Sequence, residues 1–195
     1  MKNPDRRVRR TQKSLHEALI ALLLEKNYDA ITVQEVLDRA DVGRSTFYAH
    51  FQSKDELLIS GVDGLRSTLN AAIREGRTSA KRHENLLGFS RAMFDHVNEY
   101  RPVYYALVRT QVFPLVRQHL LGLLSELIER ECRAELVKLK KSKAEVPIEL
   151  FISHLSTTFF TVLTWWLDKR VRASTADLDQ YFRALVLPAL QATLG

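Results

Sequence analysis

Between positions 32 and 54 the chain gathers side chains that donate hydrogen bonds and positive charge: Thr32, Arg44, Ser45, Thr46, Tyr48, His50 and Lys54. Arg44 carries a planar fork that can donate twice to guanine O6 and N7. Ser45 and Thr46 can reach a base edge or a phosphate. Tyr48 offers a ring with a donor tip, suited to a phosphate or a thymine methyl, and His50 can donate to a phosphate. Lys54 stands where a helix begins, an end whose dipole already favours anions. Thr32 can present the first amides of another helix to an anion in the same way. Singly, each has a plain structural reading: a solvated arginine, a half-buried tyrosine, a capping hydroxyl. Together, in one short window, they point to nucleic acid.

Such side chains need elements to hold them. Thr32-Val33-Gln34-Glu35 reads as a capping box. Val33, Val36, Leu37 and Ala40 then follow the i, i+3, i+4, i+7 spacing of a helix over 33–40. Asp41-Val42-Gly43 forms a turn, and a third short helix runs from Arg44 to His50. This is the helix-turn-helix layout. The DNA major groove, about 12 Å wide, admits one helix. That helix must be short, open at its N-terminal end and braced behind; Val42, Phe47 and Phe51 supply the brace. Ahead of it, Leu15, Leu19, Leu22 and Leu23 mark a first helix, with Ile20 and Leu24 widening the stripe. Asn27 ends that helix through the left-handed conformation it tolerates. Ser53-Lys54-Asp55-Glu56 forms a second capping box, which launches a fourth helix. At the start of the chain, Lys2, Arg6, Arg7, Arg9, Arg10 and Lys13 face Asp5 alone. Such a run is either a solvated tail or an arm that reaches phosphates.

The chain has 195 residues and a formal net charge of +6. Its 7 Gly and 5 Pro are about half the usual share, so helices run long. A single cysteine, Cys132, excludes an internal disulfide framework. The longest purely apolar run, Ala18 to Leu24, is far short of a membrane span, and no signal-peptide pattern is present. A soluble, cytosolic protein is expected. No H-E-x-x-H, G-x-S-x-G or Gly-rich phosphate loop occurs, and the histidines lack metal-ligand spacing. The expectation is a non-enzyme with no cofactor and no metal.

Residues 31 to 57, ITVQEVLDRADVGRSTFYAHFQSKDEL, resemble the DNA-binding signature of the TetR/AcrR family of transcriptional regulators. The Thr46–Phe51 core followed by Ser53–Leu57 carries most of the likeness, which covers about residues 8 to 60. The resemblance implies an all-α protein with a helix-turn-helix DNA-binding domain over 1–60 and a helical regulatory and dimerisation domain over 61–195. It places Arg44, Ser45, Thr46, Tyr48 and His50 on the recognition helix, with Gly43 just before it. Gln34 falls at a base or phosphate contact, and Thr32 and Lys54 at phosphate positions. Two departures stand out. Asp41 occupies a turn position that is usually Gly, and Gly43 a position where a small polar cap such as Ser is common.

The resemblance further implies double-stranded DNA with a palindromic operator as partner, a homodimer, and a small ligand that releases a repressor. An activator, or a DNA-binding or interaction protein without ligand, stays open. The last two helices are apolar nearly all round, which fits a surface shared with a second copy. Phe151, Leu155, Phe182 and Leu185 are the candidates for that interface. Phe89, Met93, Tyr104, Tyr105, Phe113, Phe159 and Trp165 are candidates to line a pocket, or else core. His96, His119 and His154 could orient a polar group of the ligand. The stripe holds no cluster of acids, which favours a neutral or anionic apolar ligand. No membrane partner is expected.

Overall fold

The computed structural model describes residues 6–76, 87–131, 146–168 and 171–194, and among them every regular element is helical. The helices are α1 (Arg6–Glu25), α2 (Val33–Ala40), α3 (Arg44–Tyr48), α4 (Lys54–Gly76), α5 (Gly88–Glu99), α6 (Arg101–Leu107), α7 (Phe113–Glu131), α8 (Ile148–Asp168) and α9 (Thr175–Leu194). A single 3₁₀ turn, Tyr28–Ala30, links α1 to α2. Two compact units emerge. One takes in the chain up to Leu65 together with Tyr100–Arg117; the other takes in Arg66–Glu99 and the chain from Gln118 onward. The boundary expected at 60/61 therefore falls inside α4, which is one continuous helix of 23 residues. Cys132 and the basic connection around Lys138–Lys143 lie outside the described residues.

In the first unit, α1 buries Leu15, Ala18, Leu19, Leu22 and Leu23. Leu24 is exposed, so the apolar stripe is narrower than its sequence suggests. The helix also starts earlier than the leucine spacing indicates: Arg6, Arg7, Arg9, Arg10 and Lys13 all lie on it. Asn27 has an extended backbone, not a left-handed one, and its side chain accepts from the Asp29 amide to cap the 3₁₀ turn. The capping box of α2 forms as its sequence indicates. The Glu35 amide donates to Thr32 Oγ1 at 3.3 Å, and the Thr32 amide donates to Glu35 at 2.9 Å. Lys26, with Thr32, holds the Glu35 carboxyl down to a pKa of about 2, so this corner stays ionised through mild acid. Arg39 adds a two-pronged pair to Glu25 at 2.7 and 2.5 Å, fastening α2 to the end of α1.

The box before α4 differs in one half. Ser53 accepts from the Glu56 amide at 3.1 Å, but Glu56 reaches back to the Gln52 amide at 2.6 Å, one residue earlier than the simple pattern. His16 ties α1 to α4: its Nε2 lies 3.0 Å from the Leu57 carbonyl and 2.8 Å from Ser60 Oγ. Burial outweighs these bonds and lowers the His16 pKa.

The second unit is built on aromatic packing. Phe94 stacks on Phe159 at 4.4 Å, and Phe182 meets Phe159 edge-on at 5.3 Å. A polar clasp joins α5 to α9. Arg183 donates to Asp179 at 2.8 Å and to the Leu87 carbonyl at 3.0 Å, and the buried Ser90 hydroxyl sits between that carbonyl and Asp179. A capping box at Ser174 and Asp177 starts α9 three residues before the apolar run beginning at Leu178. By length and mean hydropathy of 1.3, α8 is apolar enough to cross a membrane, yet 50% of that window is buried inside the fold.

Asp41 is the one described non-glycine residue with positive φ, at 52°. An L side chain there is strained, and Gly removes the strain. Asp41→Gly is expected to stabilise the protein by about 0.5–1 kcal/mol, read as a higher urea midpoint; a lower midpoint would contradict this account of the turn. The folded pKa of His16 lies below its ordinary 6.5, so the unfolded chain binds more protons in that window. Stability is therefore expected to fall as pH drops through 6.5 toward the folded value. His16→Gln, which keeps a donor for the Leu57 carbonyl, should flatten that decline. Burial lowers the pKa of His96 as well, so part of the slope remains. Urea titrations across pH check this, and an unaltered slope in the variant would remove His16 from the acid response.

Candidate nucleic-acid interface

A helix of five residues cannot hold its own shape in water, because nucleation alone is unfavourable. α3 is held from behind. Phe47 is fully buried and packs against Phe51 at 5.8 Å, with Phe51 itself buried and edge-on to His16. Val42, the third expected brace, is half-buried. Behind α2, Val36 and Leu37 are buried. The turn closes by backbone bonds: the Val42 amide reaches the Leu37 carbonyl at 3.1 Å, and the Thr46 and Phe47 amides reach the Gly43 carbonyl. Gly43 caps α3 without a side-chain bond, and open space surrounds the position where a Cβ would stand.

With Phe47 turned inward, the rest of α3 faces out. Gly43, Arg44, Ser45, Thr46 and Tyr48 are all exposed. Arg44 stacks over the Tyr48 ring at 5.8 Å, and Tyr48 meets Phe47 edge-on at 5.2 Å. The guanidinium is thus pre-ordered by a ring that is itself anchored to the core. Thr32 and Gln34 are exposed on the first turn of α2, with Gln34 donating to Asp38 at 2.7 Å. His50 is half-buried just past α3. It lines an open cleft of about 280 Å³ with Ser45, Thr46 and Ala49 on one side and Arg7, Val8 and Thr11 of α1 on the other. Arg7 and Thr11 had no sequence signal beyond the general basic run.

Lys54 stands apart. Its ammonium donates to the carbonyls of Tyr28 at 2.8 Å and Ile31 at 2.7 Å, and it lies 4.4 Å over the Tyr28 ring. The Tyr28 hydroxyl donates in turn to Asp55. Burial, reinforced by Asp55, pushes the Tyr28 phenol far above its ordinary pKa, so it stays a donor. Two consecutive residues of α4 therefore clamp one buried tyrosine of the 3₁₀ turn. Two of the three Lys54 protons face carbonyls inside the fold rather than outward.

Residues 15–60 match the family described as "Bacterial regulatory proteins, tetR family". Residues 84–187, more than half of the chain, match a "Transcriptional regulator C-terminal region". The protein belongs to the TetR family of transcriptional regulators. Over 58 residues it is 41% identical to the HTH-type transcriptional regulator YxbF of Bacillus subtilis (strain 168), a stretch covering 29% of this chain and 15% of that one. The chain covers less than half the length of the curated relatives it matches. A TetR transcriptional regulator from Streptococcus agalactiae 2603V is similar along nearly its full length: 27% identity, TM-score 0.62, 93% of this chain and 96% of that one. Thermus thermophilus FadR, a TetR-family repressor solved with lauroyl-CoA, shares the fold at 18% identity and TM-score 0.65, over 90% and 93% of the two chains.

In this TetR-family protein the pocket candidates divide between the units. Tyr104, Tyr105 and Phe113 belong to the first unit, where Tyr104 packs edge-on to Phe113 at 5.6 Å. Phe89, Met93 and Phe159 are buried in the core of the second, while Trp165 is 43% exposed beside Tyr181. Of the histidines, His119 and His154 are exposed and His96 is half-buried. Of the interface candidates, Phe151, Leu155 and Phe182 are sealed inside their own unit, and Leu185 is 58% exposed. Among the described residues, the large apolar side chains that α8 and α9 leave exposed are Leu150, Trp165, Tyr181 and Leu185.

Lys54→Met keeps the aliphatic stem and removes the ammonium. It is expected to destabilise the protein by about 1–3 kcal/mol, the range for charge-assisted bonds of this kind. On the reading that the ammonium serves the fold and not a phosphate, the salt dependence of duplex binding should stay unchanged. Unfolding titrations and a salt series on DNA check both. A flattened salt slope with unaltered stability would make Lys54 a phosphate ligand instead.

Proposed function

We propose that the protein is a cytoplasmic, dimeric repressor that reads a palindromic operator with α3 and is released by a small ligand. The observation that carries the DNA reading is the split within α3: Phe47 is fully buried, while Arg44, Ser45, Thr46 and Tyr48 are all exposed. A helix so divided fits the major groove, with Arg44 at guanine and Tyr48 steadying it. Gly43, at the N-cap, lets the backbone approach the DNA closely. Thr32 and Gln34 then stand at the entry of α2 to meet the sugar–phosphate backbone, and Lys54 acts by holding α4 in place.

The dimer is supported by the outer face of α8 and α9. Leu150, Trp165, Tyr181 and Leu185 lie exposed there, and His154, Thr157 and Thr161 continue the α8 stripe without a formal charge. Because Phe151, Leu155 and Phe182 fill the core, these outward neighbours form the proposed pairing surface, and Leu185 is the one residue expected there from the sequence that remains in it. Two-fold pairing would set two copies of α3 about one DNA turn, ~34–36 Å, apart. The ligand class is neutral or anionic and apolar. An acyl-CoA such as the lauroyl-CoA held by Thermus thermophilus FadR belongs to that class.

Selection of bound sites from random duplexes tests the reading. The expected product is an inverted repeat with half-sites one turn apart. On that site Arg44→Ala should cost about 1–3 kcal/mol and relax the preference at one base pair. Equal losses on random DNA, or selected sites without symmetry, would overturn base reading by a paired α3.

A further inference from the structure

The exposed surface of α3 is not uniform. Arg44 and Tyr48, four residues apart, stack on each other. Ser45, Thr46, Ala49 and His50 instead line the cleft of about 280 Å³ shared with Arg7, Val8 and Thr11 of α1. The polar lining is one guanidinium, three hydroxyls and one imidazole, beside the apolar Val8 and Ala49. It holds no carboxylate. Every polar side chain in it can donate a hydrogen bond, which is the chemistry of an oxyanion seat.

Position adds a second argument. An α-helix with its side chains is about 10–12 Å across, and the major groove is about 12 Å wide. A helix seated there is flanked on both sides by the phosphates of the groove walls. This cleft opens along α3 itself, between α3 and the start of α1. The arginines at the start of α1 point the same way. Arg6, Arg7, Arg9 and Arg10 crowd the first turns of a helix that has no acidic residue there, against the positive end of its dipole. A polyanion held there interacts favourably with that positive end.

Resting on the DNA-binding reading above, we propose that the α1–α3 cleft seats a phosphodiester of one groove wall. Arg7 pairs with its oxygens, and Thr11, Thr46 and His50 donate hydrogen bonds to it. The two sides of α3 then divide the work. The cleft sets how tightly any duplex is held, and the Arg44–Tyr48 pair sets which duplex is preferred.

The test compares wild type, Arg7→Ala, Thr11→Val, Arg6→Ala and Arg44→Ala on the selected operator and on a random duplex, between about 50 and 200 mM salt. Arg6 is a neighbouring exposed cation that does not line the cleft. Arg7→Ala should weaken both duplexes by the same factor and reduce the salt slope by about 1, so that its defect shrinks about threefold across the range. Thr11→Val should weaken both duplexes equally with the slope intact. Arg6→Ala should change the slope by clearly less, and Arg44→Ala should act chiefly on the operator. Equal slope changes for Arg7→Ala and Arg6→Ala would reduce the cleft to diffuse charge and overturn the proposal. So would an Arg7→Ala loss confined to the operator. A wild-type protein that binds no duplex would overturn the DNA-binding reading itself, a different failure from either of these.

Discussion

The structure of the first unit depends on one constraint: a five-residue helix must be rigid without being able to stabilise itself. The first turn of an isolated helix loses more in chain entropy than its few hydrogen bonds return, and a five-residue helix has hardly any further turn to recover the loss. The burial of Phe47 and Phe51 supplies what α3 lacks, and it also fixes the rotation of the helix about its axis. With Phe47 pinned, Arg44 and Tyr48 have one direction left and Thr46 and His50 another. The core contact therefore decides which side chains face outward, and a change in its packing would rotate the whole reading surface at once.

The same logic explains why the start of α4 is fastened so heavily. Tyr28 is gripped from above by the Lys54 ammonium and at its hydroxyl by Asp55, while Lys54 also closes on two carbonyls of the turn. A lysine directed into a fold loses hydration and side-chain freedom, and the two carbonyls and the ring face offset that loss. The result is a fixed angle between the 3₁₀ turn and α4. α4 runs for 23 residues from this clamp, so the clamp fixes the direction in which the helix sets out.

Local chemistry was legible in the sequence, and tertiary chemistry was not. The bounds of α2, its capping box and the turn at Asp41 follow from neighbours within four residues, and each was readable. The early start of α1 was hidden because its arginines oppose the helix dipole, and such a charge run reads as readily as a solvated tail. The capping box at Ser174 and Asp177 is likewise a local pattern, a readable S-x-x-D at the start of α9. The Tyr28–Asp55 contact spans 27 residues and has no periodic trace. In α8 the limit is geometric. Leu150 is 60% exposed and Phe151 4%, yet both sit in an apolar stretch, and a helix hydrophobic nearly all round gives no phase from which to tell inner from outer.

Net charge illustrates the difference between composition and placement. The chain carries an excess of six positive charges, but its basic residues in the head have distinct fates. Arg39 is bound by Glu25 and Lys26 by Glu35, so each of those pairs is neutral from a distance. Lys54 faces inward. Arg44 lies on an aromatic ring, which orders it without cancelling its charge. Arg6, Arg7, Arg9 and Arg10 gather on the first turns of α1. A passing polyanion therefore senses the cations gathered at the start of α1, and Arg44, more than the sum over the sequence. Attraction falls off within about one Debye length, some 10 Å in ordinary salt. It follows that the placement of these few groups, and not the total, orients the duplex before the groove is entered.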